Sequence, residues 1–284
     1  MKKYFYHLRV LSSALFLFAL ASCGTNKEEE SNAATQDTIA VASAKDTGDL
    51  TKDFFYALPS PLVMAKVFKK TGLKYVEGIA NSPDNISKYS SVGRKTLNLG
   101  VYSSDLAYTV LNKQSQQASK YIEVMKKLSD DLGMSTLFDS DDYLMRFKNN
   151  LNNEDSLINI VCQLKGDMDI FMKDNEKEKQ TLMIFIGAWI ENMYIATQLT
   201  KEANKEKVAM RIAEQKFILN SLMNLVTSYQ NDAELKDLFL KLSDLKTLFD
   251  NLSVQGEDEK LVMDELQLKA ITEKTRDLRK EIVG

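Results

Sequence analysis

After Pro83 the chain contains no further proline, and over that long remainder apolar residues return at helical spacing with few β-branched runs. Proline removes a backbone donor and breaks helix interiors, so its confinement to Pro59, Pro61 and Pro83 leaves the rest free to form long helices. The pattern predicts an all-α domain, an irregular bundle of about eight or nine helices that includes antiparallel hairpins. No fixed period of self-similarity recurs, so a regular solenoid is not expected.

Local signals place the elements. Ser60 as N-cap, Pro61 at the first position and Gly72 beyond the end predict a short first helix. A turn at Asn81-Ser82-Pro83-Asp84 precedes a predicted helix from about Ser87 to Asn112, and a second from about Gln114 to Leu132 folds back on it. Further helices are expected over about 140–150, 154–173, 177–203, 205–230, 233–251 and 257–282. The spacing leaves open whether they form one bundle or two subdomains divided near Gly133 to Asp142.

The amino-terminal residues point to export. Lys2, Lys3 and Arg9 precede an apolar run from Val10 to Leu20 that is too short for a permanent membrane span, which needs roughly 20 apolar residues. Leu20-Ala21-Ser22-Cys23 resembles the lipobox of bacterial lipoproteins. The resemblance implies cleavage after residue 22, acyl chains such as palmitate on Cys23, and a membrane anchor. The expected organisation is a signal peptide over residues 1–22, a flexible acidic tether over 23–53 and one helical domain over 54–284. Asn26-Lys27-Glu28-Glu29-Glu30 resembles the acidic signal that carries Bacteroidota lipoproteins to the outer leaflet of the outer membrane, which implies a cell-surface location. A plain solvated spacer and a periplasm-facing protein remain the alternative.

Removal of residues 1–22 takes away three basic residues and no acidic one, changing the formal charge from −3 to −6. That acidity, with no basic stripe, argues against a nucleic-acid partner. The single histidine, His7, lies in the signal peptide. The mature domain therefore has no Ser-His or Cys-His nucleophile, no histidine-ligated metal and no Glu-x-x-His di-iron motif. No phosphate loop or dinucleotide fingerprint occurs, and no cofactor is expected. Cys162, between apolar neighbours on a predicted helix, reads as a buried thiol.

Two segments place polar residues inside otherwise apolar helices. In Leu97 to Tyr108 apolar residues occur on nearly every side, which marks a central helix, and Asn98 and Asp105 share a face. Gly100, Ser103, Ser104 and Ala107 form a small-residue stripe that lets a neighbouring helix approach. In Gly187 to Gln198 the residues Glu191, Tyr194 and Gln198 make a polar ridge beside Trp189. Candidate ligand-binding residues are therefore Asn98, Tyr102, Asp105, Tyr108, Trp189, Glu191, Tyr194 and Gln198. A cleft between the two faces would bring together two carboxylates and several tyrosines; a buried network joining two helices is the structural alternative.

Leu97-Asn98-Leu99-Gly100-Val101-Tyr102, Ser104-Asp105-Leu106-Ala107-Tyr108, Trp189-Ile190-Glu191 and Tyr194-Ile195-Ala196 resemble uncharacterised helical lipoproteins of Bacteroidota. The resemblance implies an all-helical, membrane-tethered protein and adds nothing to mechanism. The function expected first is an envelope lipoprotein whose helical domain binds a protein, peptide or small ligand without catalysis. A carboxylate-based metal-dependent or hydrolytic module using Asp105 and Glu191, and a purely structural envelope component, stay open as alternatives.

Overall fold

The computed structural model describes residues 58–139, 142–256 and 260–284. The segments expected to be a signal peptide and a tether, with Cys23 between them, lie outside the described residues. The regular structure among the described residues consists of eleven α-helices, two 3₁₀ turns and one two-stranded hairpin, so the all-α expectation holds. Among the described residues no single helix is long and apolar enough to cross a membrane.

Helix α1 (Pro61–Lys69) begins as its residues dictate. The Ser60 hydroxyl accepts from the Val63 amide at 3.2 Å, and Gly72 turns the chain at φ +91°. A 3₁₀ turn (Pro83–Lys88) then leads to α2 (Val92–Leu111), capped by Ser91. The long helix thus starts later than predicted, because Pro83 and its following residues form the separate turn.

The pair α2 and α3 (Ser115–Asp131) forms the expected antiparallel hairpin, with Lys95 paired to Asp131 at its open end and the Tyr102 and Tyr121 rings meeting further along. Two short helices, α4 (Ser135–Asp139) and α5 (Tyr143–Asn149), lead to α6 (Glu154–Asp174) and α7 (Glu178–Gln198). The predicted helix over 205–230 is two, α8 (Lys205–Ala213) and α9 (Gln215–Thr227), broken at Glu214. After α10 (Lys236–Asp250), strands β1 (Ser253–Gln255) and β2 (Lys260–Val262) pair antiparallel where a helix from 257 was expected. The last helix, α11 (Glu265–Val283), starts at a capping box in which Asp264 and Gln267 bond each other's amides.

Helices α2 and α7 are the centre. Fifteen of the twenty residues of α2 are buried, on all its sides. Leu97 meets Gly187, Gly100 meets Ile184 and Ala188, and Ser104 bonds Ala188. These contacts advance in the same sense along both chains, so the pair is parallel, with α3 to α6 as the return path. The crossing is glycine to backbone: a Cβ on Gly100 or Gly187 would lie inside 3.0 Å of the facing helix's carbonyl. One apolar core on one side of α2 joins α1, α7 and the later helices around Trp189; another joins α3 to α6 around Phe147. Because α2 serves both cores, the segment near Gly133 to Asp142 does not separate them.

Candidate functional site

The two polar helix faces do meet. Asp105 on α2 and Glu191 on α7 are each 0% exposed and close enough that each acts on the other's ionisation, while Asp105 Oδ1 is buried with no hydrogen-bond partner among the described residues. A third group, from α11, completes the cluster. Arg279 donates through Nε to Glu191 Oε2 at 2.9 Å and through Nη2 to Oε1 at 3.1 Å, a bidentate pair. Its guanidinium lies over the Tyr194 ring, 4.4 Å from the centroid. Asp105 Oδ2 accepts from the Asn81 amide at 3.2 Å, and the Asn81 side chain donates to Tyr89 Oη at 2.8 Å.

Electrostatics sorts the two acids. Burial, then the charge of Glu191, pushes the Asp105 pKa well above the usual carboxylate range, with Arg279 opposing. Burial also raises Glu191, but the Arg279 charge and both its hydrogen bonds oppose that rise directly. Burial works against the charge of Arg279, and Glu191 outweighs it, so Arg279 is raised. Both acids are thus shifted toward the protonated form, Asp105 the more strongly, while the two guanidinium hydrogen bonds and the charge of Arg279 favour the ionised form of Glu191.

The other candidates are placed as follows. Asn98 donates to the Ile282 carbonyl at 2.8 Å and the Arg94 carbonyl at 2.9 Å, tying α11 to α2. Tyr102 donates to the Ser82 carbonyl at 2.8 Å, and Tyr108 accepts from the Val76 amide at 2.8 Å, so both hold the chain before α2. Trp189 donates to Gln215 Oε1 at 3.1 Å. The Gln198 amide nitrogen is buried with no hydrogen-bond partner among the described residues. Of the small stripe, Gly100 and Ser104 face α7, Ser103 lines a cavity and Ala107 packs near α1.

That cavity lies elsewhere. About 380 Å³ of mostly apolar space is enclosed between the start of α1 and parts of α2, α3, α6 and α7. None of the eight candidates lines it; Tyr108 borders a second hollow of about 20 Å³. Cys162, expected buried, is half-buried and lines the larger cavity. Among the described residues no group of three or more acidic or cysteine side chains is arranged to hold a metal ion.

Arg279 is the residue that sequence reasoning missed. Its signal was present: Ile271, Thr275, Leu278 and Ile282 mark the buried face of α11, and Arg279, four after Thr275, falls on it. Comparison of the chain with known protein families, curated proteins and solved structures finds no match.

Proposed function

We propose that the chain is a lipid-anchored envelope lipoprotein whose helical domain binds a small ligand without catalysing its conversion. The observation that carries the binding half is the cavity: its volume of about 380 Å³ falls in the range of roughly 300–1,000 Å³ usual for small-molecule sites. Natural cores close such spaces, because an apolar void forfeits packing contacts. The anchoring half rests on the lipobox-like Leu20-Ala21-Ser22-Cys23, and the acidic residues after Asn26 support placement on the outer membrane facing outward. The carboxyl cluster gives the enzymatic alternative little support, since both acids are closed off from solvent, Glu191 held by Arg279 and Asp105 by the Asn81 amide, away from the cavity.

Two measurements test the reading. The wild-type chain should take up labelled palmitate and sediment with membranes, and Cys23→Ala should do neither. The unlipidated mature chain should bind the uncharged probe phenylnaphthylamine with saturable fluorescence enhancement. A Cys23→Ala protein that stays lipidated removes the first half; absence of any saturable probe signal removes the second.

A further inference from the structure

The lining of the cavity narrows its occupant. Its walls include Leu106, Met125, Leu164, Met168, Met172 and Phe185, and the methionines give a surface that adapts to a flexible chain. Its charged lining residues, Lys165 and Asp169, lie one helical turn apart on α6 and pair with each other. A charged headgroup entering there would meet one ion of each sign already neutralised, and an anion would face Asp169. An uncharged hydroxyl would instead find acceptor lone pairs on Ser103 and Thr181, whose own protons go to the Gly100 and Lys177 carbonyls.

A second observation concerns the mouth. Gly166 sits inside α6, where glycine costs about 1 kcal/mol relative to alanine. Unlike Gly100 and Gly187, it has no neighbour that demands it: a Cβ there would meet nothing within 4 Å. It is exposed and lines the cavity, which puts this position at the cavity's edge with open space for a side chain. The lining also includes Leu58 to Val63, the point where the chain coming from Cys23 enters the domain.

Resting on the anchored binding domain argued above, we infer that the cavity takes the hydrocarbon chain of a neutral single-chain lipid, of the monoacylglycerol or fatty-alcohol type, with its hydroxyl donating to Ser103 or Thr181. The membrane to which the domain is tied is the source.

Cys162 provides a readout confined to this cavity. In the mature chain carrying Cys23→Ser it is the one remaining thiol, so its alkylation by N-ethylmaleimide reports occupancy. Saturating monododecanoylglycerol is expected to slow alkylation about tenfold or more, whereas dodecanoate and dodecyltrimethylammonium need far higher concentrations for the same effect. Gly166→Phe should fold with an unchanged or raised Tm and lose the protection. Equal protection by either charged amphiphile overturns the neutral-lipid assignment and leaves the binding domain standing, as does phenylnaphthylamine binding with no protection by any lipid. Full protection retained in Gly166→Phe overturns the placement at this mouth. Absence of both lipid protection and probe binding removes the binding domain as well.

Discussion

Two carboxyl groups without access to water lie beside one arginine, and the balance of charge decides which of them keeps its proton. Glu191 holds both guanidinium hydrogen bonds, which favour its ionised form; Asp105 has no such bond and is the one pushed well above the usual carboxylate range. In the unfolded chain Asp105 ionises near its ordinary value of 3.8, and in the folded chain it does so only well above that. The folded state therefore holds more protons than the unfolded state as pH rises past about 4, and stability falls with rising pH, at up to about 1.4 kcal/mol per pH unit for one such group. This contribution is fully present below the unfolded value and lost on the way to the folded one. Asparagine at 105 would donate to Glu191 from its amide nitrogen and accept from the Asn81 amide with its oxygen, without needing a proton. Asp105→Asn is therefore expected to fold, and to show a shallower fall in urea-unfolding free energy between about pH 4 and pH 8 than the wild type. Equal slopes in both proteins would mean that Asp105 is ionised in the fold.

At the scale of elements, two glycines allow a backbone-to-backbone approach of two helices. Gly100 and Gly187 let α2 and α7 touch backbone to backbone, and around that crossing Asn192 donates to Ser104 Oγ at 2.7 Å. Alanine is the better helix former by about 1 kcal/mol, so propensity alone would make Gly100→Ala and Gly166→Ala both stabilising. The crossing reverses the sign for one of them. Gly100→Ala should cost at least about 2 kcal/mol, because the helices must separate, and Gly166→Ala should gain up to about 1 kcal/mol; thermal unfolding of both variants measures the contrast. A stable Gly100→Ala would show that the helices can part without loss.

The same elements show what could be read in advance. Helix starts carried by a side-chain cap, such as Ser60 with Pro61, were legible because the signal is local. The break at Glu214 was not, since no glycine or proline marks it and its cause is tertiary: Gln215, just beyond it, receives the Trp189 indole and donates back to the Arg211 carbonyl. The β1–β2 hairpin was missed because Val254, Leu261 and Val262 fit a helical stripe as readily as a strand; Gly256, at φ +81°, was the one contrary residue. Small residues on α2 announced a close approach, but spacing within one helix could not say that the partner is parallel α7. Nor could it show the cavity, whose walls come from α1, α2, α3, α6 and α7 together rather than from any motif.

For the whole molecule, α7 acts as the shared post of three attachments: Asn192 to α2, Trp189 to α9 and Glu191 to α11. The last of these joins residues 88 positions apart, fixing the final helix to the centre. Desolvating such a pair costs about as much as its attraction returns, so its presence is a matter of placement more than of net stability. Its removal by halves is different. Arg279→Leu leaves Glu191 buried without a counter-charge and should cost about 3–5 kcal/mol, whereas Glu191→Leu leaves the guanidinium only the Asp105 carboxyl and the Tyr194 ring and should cost less. The double variant removes both charges and restores apolar packing between α7 and α11, so its loss should be several kcal/mol smaller than the sum of the single losses. A double-mutant cycle by urea unfolding gives that coupling directly. Additive losses would mean that each side chain is held by other partners and that α11 is attached through its apolar face and the Asn98 to Ile282 bond alone.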